Sequence, residues 1–222
     1  MKNFYSPFHL LFFVLVLGIL AVLIQVELLA FAFEKLGLSP ESGLALLFLS
    51  LFGSMINLPV TRIKSEVPVH EPPSPVYWGL LRIPAQPFHN ETQICINFGG
   101  CLIPVTLSVF LFSHSTLGVF PTLFGITIIS IVSYYFSRPI PRLGIAMPIL
   151  IAPVSAALVG VLINPEQSAP LAYISGTLGV LIGADLLRIK DISRLGAPFA
   201  SIGGAGTFDG IFITGIVAAL LA

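Results

Sequence analysis

The sequence contains few charged residues, and this scarcity excludes most classes of soluble protein. Only 9% of the 222 residues are charged, whereas 56% are hydrophobic; about a quarter of an ordinary soluble domain is charged. Ten basic residues balance ten acidic ones, so the chain has no excess positive charge with which to bind a nucleic acid. The composition therefore indicates that the main partner is the lipid bilayer, and it predicts no nucleic-acid partner.

Cysteine and histidine are also scarce, which argues against redox and metal chemistry. The two cysteines, Cys95 and Cys101, stand in an apolar stretch and are interpreted as small buried residues. The four histidines are scattered, without the spacing of metal ligands: His9, His70, His89 and His114. We therefore predict no metal site, and we expect no cofactor.

Long apolar runs are abundant, each close to the 20 or so residues that a helix needs to cross the hydrocarbon core. Seven runs qualify, at residues 10–33, 43–60, 94–112, 117–136, 143–163, 170–187 and 197–222. We predict an all-α, polytopic transmembrane helical bundle of about seven spans, forming a single integral membrane domain over residues 1–222. The sizeable extramembrane piece is a proline-rich loop at about 61–93.

The basic residues predict the orientation of these spans. With seven spans, nine basic residues fall on the side of the N-terminus: Lys2, Arg62, Lys64, Arg82, Arg138, Arg142, Arg188, Lys190 and Arg194. Lys35 alone falls on the other side. Because basic residues accumulate in cytoplasmic loops, we predict a multi-pass protein of the cell membrane with a cytoplasmic N-terminus, a cytoplasmic proline-rich loop and an external C-terminus.

Three acidic residues lie inside predicted spans, where an ionisable group is costly and is therefore a functional candidate. Glu27 lies late in the first span, and it either has a function, snorkels towards the headgroups or bonds to another helix. Asp185 and Asp209 lie on consecutive antiparallel spans. Two carboxyls that face each other tend to share a proton, which is the arrangement that activates water in aspartic proteases. We therefore predict that Asp185 and Asp209 form a catalytic pair.

A stretch rich in glycine surrounds Asp209. Its members are Gly203, Gly204, Gly206, Thr207 and Gly210. Glycine has low helix propensity and leaves backbone groups open to a polar partner. The sequence therefore predicts that the last span is broken there, and that these residues bind a substrate or open the backbone.

Two other interpretations of the acidic residues remain open. In a transporter, a broken helix beside the Asp209 carboxyl would bind a proton or a cation and couple it to a small-molecule substrate. In a non-catalytic scaffold, Asp185 would pair with Arg188 three residues on, and Asp209 would cap the broken backbone.

Residues 201–212, SIGGAGTFDGIF, together with residues 183–187, GADLL, resemble over most of the chain a family of prokaryotic membrane proteins labelled as domain of unknown function 1614. That label implies no activity. The same hairpin is distantly similar to presenilin-like intramembrane aspartyl proteases, which have one aspartate in each of two consecutive spans, the second directly after Gly-x-Gly. The resemblance implies catalysis by Asp185 and Asp209 on a membrane-protein substrate, although Thr207 and Phe208 separate the glycines from Asp209 here.

Overall fold

The structure, a computed structural model, describes residues 7–65, 77–78, 81–82, 91–140, 144–204 and 210–222. Within these ranges the chain is mainly helical. The α-helices are α1 (Pro7–Lys35), α2 (Pro40–Gly53), α3 (Ile103–His114), α4 (Val119–Phe136), α5 (Ile151–Ile163), α6 (Ser168–Val180) and α7 (Gly210–Leu221). A π-helical turn, Phe98–Leu102, precedes α3, and a π-helical segment, Leu181–Leu186, follows α6. Short 3₁₀ turns cover Pro165–Gln167 and Ile189–Arg194.

Several of these helices are suited to a bilayer. Three stretches are long and apolar enough to cross a membrane: Leu10–Lys35, Val119–Phe136 and Pro165–Leu186. Four apolar helices are shorter: Pro40–Gly53, Phe98–His114, Ile151–Ile163 and Gly210–Leu221. The mainly helical architecture is thus confirmed, and the three long helices fit a membrane location. These four helices correspond to four of the runs that were predicted to cross the membrane, and each is shorter than its predicted run.

Small sheets, which the all-α prediction did not include, occupy the ends of several predicted spans. The strands are β1 (Asn57–Lys64), β2 (Tyr77–Trp78), β3 (Leu81–Arg82), β4 (Glu91–Asn97), β5 (Arg138–Ile140), β6 (Gly144–Ala146) and β7 (Phe199–Ile202). The largest sheet has the order β1-β4-β7, with β4 antiparallel to β1 and parallel to β7. Two antiparallel pairs, β2-β3 and β5-β6, complete the set in the described residues. Short apolar runs are ambiguous between helix and strand, which is why β6, β7 and parts of β1 and β4 were assigned to spans.

The seventh predicted span is not one helix over residues 197–222. Phe199–Ile202 is strand β7, Gly203 has a φ of 76°, and α7 covers Gly210–Leu221 in the described residues. Residues 205–209 lie outside the described part, so the predicted break at the glycine-rich stretch stays a prediction. Most of the predicted proline-rich loop also lies outside the described residues, between the end of β1 and the start of β4.

The centre of the bundle is α6, which packs against α3, α4, α5 and α7. All but three of its residues are buried. Small residues permit this contact on several sides, since a methyl group added at Gly179 would lie 2.6 Å from the Ile129 Cβ. One added at Gly160, on α5, would lie 3.0 Å from the Ala172 Cβ. The helices therefore approach at distances that larger side chains would prevent.

Candidate functional site

A cavity of about 360 Å³ lies between the large sheet and the π-helical segment that follows α6. Its lining includes β7, the turn at Gly203 and Gly204, and Asp185. Gly144 and Ile145 of β6 and the apolar side chains of Ile192 and Leu195 also line it. The volume falls within the range of about 300–1,000 Å³ that is usual for ligand sites.

Asp185 is half-buried on the π-helical segment Leu181–Leu186. Its position depends on Gly183, because a methyl group added there would overlap the Ser130 carbonyl of α4. The segment therefore lies directly on the backbone of α4. π-Helical turns are rare and occur frequently at functional sites. Among the described wall residues of the cavity, Asp185 is the one that carries a charge.

The Arg188 side chain makes contacts that the sequence did not predict. Its Nη1 donates to the Asp191 carboxylate at 3.1 Å, in an ion pair that is mostly shielded from solvent. Its Nε donates to the Ser137 hydroxyl at 2.6 Å, and its Nη2 donates to the Tyr134 carbonyl at 2.7 Å. The guanidinium also stacks over the Tyr134 ring. Arg188 thus joins the end of α4 to Asp191, whereas the scaffold interpretation pairs it with Asp185.

The turn after β7 is held against the π-helical turn Phe98–Leu102. A methyl group added at Gly203 would lie 2.6 Å from the Cys101 Cβ. One added at Gly204 would lie 3.0 Å from the Asn97 Cβ. Gly203 also has a positive φ of 76°, which favours glycine. Neither position has room for a side chain, so a larger residue at Gly203 or Gly204 would displace this wall of the cavity.

A buried amide joins the three parts of this wall, and sequence reasoning missed that role. The Asn97 Nδ2 donates to the Ser54 carbonyl at 2.7 Å and to the Asn57 Oδ1 at 3.0 Å. The Asn97 Oδ1 accepts from the Gly100 N–H at 2.7 Å, which caps the π-helical turn. The Ser201 hydroxyl donates to the same Asn57 oxygen at 2.5 Å. The network fixes β7 relative to the start of α3.

One edge of β7 faces the cavity with backbone groups available for bonding. The Gln93 N–H donates to the Pro198 carbonyl at 2.9 Å, and bonding residues alternate along a parallel ladder. Phe199 and Ser201 therefore direct their backbone groups away from β4, and both residues line the cavity. The Ser201 carbonyl accepts from Gly204. Within the described part of the chain, the Phe199 N–H and C=O and the Ser201 N–H have no partner, so an extended backbone can pair with this edge.

Cys95, on β4, also lines the cavity. Burial raises the pKa of the Cys95 thiol, so at neutral pH it is protonated and a poor nucleophile. The described residues contain no group of three His, Cys, Asp or Glu side chains that could hold a metal ion.

The start of α7 lies next to the segment that carries Asp185. Ile211 is buried in one apolar cluster with Val180 and Ala184. Of the residues predicted to form the site, Asp185, Gly203 and Gly204 line one cavity. Gly210 begins α7, with open space where a side chain would be. Gly206, Thr207 and Asp209 lie outside the described residues.

Comparison with known proteins gives one match. The sequence model of a family described as "Protein of unknown function (DUF1614)" matches residues 51–221. This range contains all the described parts of the cavity and leaves out α1 and most of α2. No curated protein and no solved structure matches the chain, and the similarity to presenilin-like proteases is not supported by these comparisons.

Proposed function

We propose a function from the geometry of the site, because the chain belongs to the DUF1614 family, whose description assigns no activity. The protein is an integral membrane hydrolase that cleaves polypeptides with a pair of aspartates, Asp185 and Asp209. The observation that carries this proposal is the shared cavity, which has the Asp185 carboxyl on one wall and the turn at Gly203 and Gly204 on another.

The packing of α7 supports the participation of Asp209. Ile211 packs in the same cluster as Ala184, which directly precedes Asp185. Asp209 stands two residues before Ile211, a chain length of at most about 7 Å. A connection this short would let the Asp209 carboxyl reach the cavity, as the proposal requires.

The proposed reaction needs only the two carboxyls and a water molecule. One carboxylate takes a proton from the water, whose oxygen attacks the carbonyl carbon of the peptide bond. The other carboxyl, which is protonated, donates its proton to the carbonyl oxygen. The resulting diol collapses as one of its hydroxyls returns a proton to the second carboxylate, the C–N bond breaks, and the amine leaves with the proton that the first carboxyl had taken. The pair returns to one shared proton, which is the state that two facing carboxyls favour.

The free edge of β7 favours a polypeptide as substrate over an ion or a small solute. An incoming segment in extended conformation can bond to the Phe199 N–H and C=O and to the Ser201 N–H, because main-chain pairing at a sheet edge recognises any backbone. The apolar side walls, which include Ile192 and Leu195, suit apolar side chains. The substrate class is therefore an unwound apolar segment of a membrane protein.

The arrangement of the strands supports the orientation that we propose for the molecule, with seven crossings and a cytoplasmic N-terminus. β1, β4, β5, β6 and β7 all adjoin helix ends on the side of the bundle where the predicted loops are basic. The cavity then opens at the cytoplasmic side. Reporter fusions after Ala222 and within residues 67–75 are expected to report opposite sides of the membrane. The same side for both fusions would contradict this topology.

Cleavage is tested with purified protein in detergent micelles and a panel of apolar peptides of about 20 residues, the length of a membrane span, with products identified by mass spectrometry. Because a general acid or base contributes about 10²–10⁴-fold to a rate, Asp185→Asn and Asp209→Asn are each expected to lower cleavage at least a hundredfold. Glu166→Gln is the matched control, since Glu166 is exposed on the turn between α5 and α6.

Two outcomes would contradict the hydrolase. Cleavage that persists in both asparagine variants would show that other groups, or a contaminant, do the chemistry. An absence of cleavage by the native chain, together with cation flux into sealed vesicles that either substitution abolishes, would assign the two aspartates to transport instead.

A further inference from the structure

Among the described residues, helix α1 packs on the rest of the chain at its C-terminal end. Ala32 and Phe33 are fully buried, whereas the large apolar side chains from Leu10 to Phe31, apart from the partly buried Leu29, are exposed. The Lys35 ammonium donates to the Leu220 carbonyl at the end of α7 and lies over the Phe31 ring. Most of α1 therefore faces the surroundings of the molecule.

The direction of Glu27 follows from helix geometry. At about 100° per residue, Leu29, Ala32 and Phe33 lie about 120–160° around the helix from Glu27. These three are the residues that pack on the bundle. Glu27 is accordingly exposed on the opposite face, which points away from the rest of the chain.

Four exposed apolar residues of one groove lie on this outward face with Glu27, and the face also carries Glu34, seven residues on. Leu20, Leu23, Ile24 and Phe31 line a shallow groove along α1 together with Glu27 and Leu28. The spacing of Leu20, Ile24, Glu27 and Phe31 is four, three and four residues, which is that of a helix-pairing seam. We call Leu20, Leu23, Ile24, Glu27 and Phe31 the outer seam.

Lipid alone leaves the Glu27 carboxyl without a hydrogen-bond partner, because hydrocarbon has no polar group. Lys35 is eight residues away, about 12 Å along the axis, and its ammonium is used at Leu220. Polar side chains in a bilayer are satisfied by bonds across helices. The outer seam is therefore suited to a second helix that offers a polar group at the same depth as Glu27.

We propose that the outer seam pairs with the same seam of a second copy of this chain, as a parallel dimer in which the two Glu27 carboxyls hydrogen-bond to each other. Copies in one membrane share an orientation, so a two-fold axis along the membrane normal places identical residues at identical depth. The second copy thus supplies the polar partner. This pairing does not depend on the proposed catalysis, and α1 lies outside the range matched by the family.

Cysteine cross-linking in lipid vesicles at low protein density tests the pairing. Leu20→Cys and Ile24→Cys lie on the outer seam, whereas Leu15→Cys and Val22→Cys lie on other faces of α1. All four native residues are exposed, and the natural cysteines are buried. We expect oxidation to give disulfide-linked dimers from the two seam variants and not from the other two, since the Cα atoms must come within about 7 Å.

The role of Glu27 is measured in the Leu20→Cys background. Glu27→Leu is expected to weaken dimerisation about three- to thirty-fold, the range that interhelical hydrogen bonds give in membranes, whereas Glu27→Gln keeps the bond and changes it little. Equal cross-linking on all faces would overturn the proposal, as would unchanged or stronger dimerisation of Glu27→Leu. Cross-linking to a different protein in native membranes, with no dimer of this chain, would assign the seam to that partner and would also overturn it.

Discussion

Two stretches that are long and apolar enough to cross a membrane, Leu10–Lys35 of α1 and Pro165–Leu186, which contains α6, occupy opposite environments. The comparison concerns the most apolar part of each stretch. There, 0% of the residues of Leu10–Lys35 are buried, whereas 67% of those of Pro165–Leu186 are buried. The more hydrophobic of the two is α1, the exposed one. Hydrophobicity therefore does not decide which helix lies at the centre of the bundle.

Side-chain size accounts for the difference. α6 contains small residues such as Ala172, Ser175, Gly176 and Gly179, so that four neighbouring helices can approach its backbone. α1 consists mostly of Leu, Phe, Val and Ile, and nothing lies within 4 Å of a methyl group added at Gly18. Because lipid tails are as apolar as these side chains, close packing and not burial from water selects the central helix.

The largest expected effect is at the C-terminal end of the α6 region, where Arg188 joins this region to the end of α4. Arg188→Gln is expected to lower the free energy of unfolding by about 3 kcal/mol, because charged hydrogen bonds are lost and Asp191 is left partly buried. The control is Arg62→Gln, whose ion pair with Glu91 is exposed and 3.9 Å long. Denaturant unfolding in detergent micelles measures both. Equal losses of unfolding free energy in the two variants would mean that Arg188 does not stabilise the contact between α4 and the C-terminal end of the α6 region.

Adding one methyl group to α6 and one to α1 tests the difference in packing between the two helices. Gly179→Ala is expected to cost about 2 kcal/mol through overpacking against Ile129. Gly18→Ala is expected to be neutral or to stabilise by up to about 1 kcal/mol, because it adds helix propensity without contact. If both substitutions were neutral, the close packing of α6 would be refuted.

A smaller effect is expected at Lys35, where α1 is attached. Lys35→Gln is expected to cost about 1 kcal/mol, because the ammonium bonds a C-terminal carbonyl of α7 and interacts with the helix dipole. Lys190→Gln, at an exposed lysine, serves as the control in the same thermal unfolding experiment. A loss no larger than that of the control would show that Lys35 does not attach α1.

The smallest effect concerns a polar group at the centre of α6. Among the described residues, the buried hydroxyls of Tyr173 and Thr177 have no hydrogen-bond partner of ordinary geometry. Tyr173→Phe is therefore expected to leave the free energy of unfolding unchanged or to raise it by up to about 1 kcal/mol. A loss above this amount would mean that the hydroxyl is bonded, for example to an internal water.

The sequence predicted those helices that are governed by length and hydrophobicity alone. The runs at 10–33 and 117–136 agree with α1 and α4 to within three residues at each end. The runs that begin at residue 94 and at residue 197 instead start with strands, because pairings such as Ile94 with Ala200 join segments that are distant in sequence. No local pattern encodes such a register.

The residues of the site also divide into those that the sequence predicted and those that it did not. Asp185, Gly203 and Gly204 were predicted because an acid in a span and a cluster of glycines are visible in one dimension. Asn57 and Ser201 carry no such signal, since they meet only through the arrangement of β1, β4 and β7. The bonds of Asn97 to Ser54 and Asn57 depend on the same arrangement.

The central claim, that Asp185 and Asp209 face one cavity, is tested most directly by a disulfide between them. Asp185→Cys and Asp209→Cys are combined in a chain in which Cys95 and Cys101 are replaced by serine, and mild oxidation is followed by mass spectrometry. A disulfide requires Cα atoms within about 7 Å, so we predict an intramolecular 185–209 link and none in the matched Glu166→Cys and Asp209→Cys pair. Failure of the 185–209 pair to form a link above the level of that control would contradict the aspartate pair.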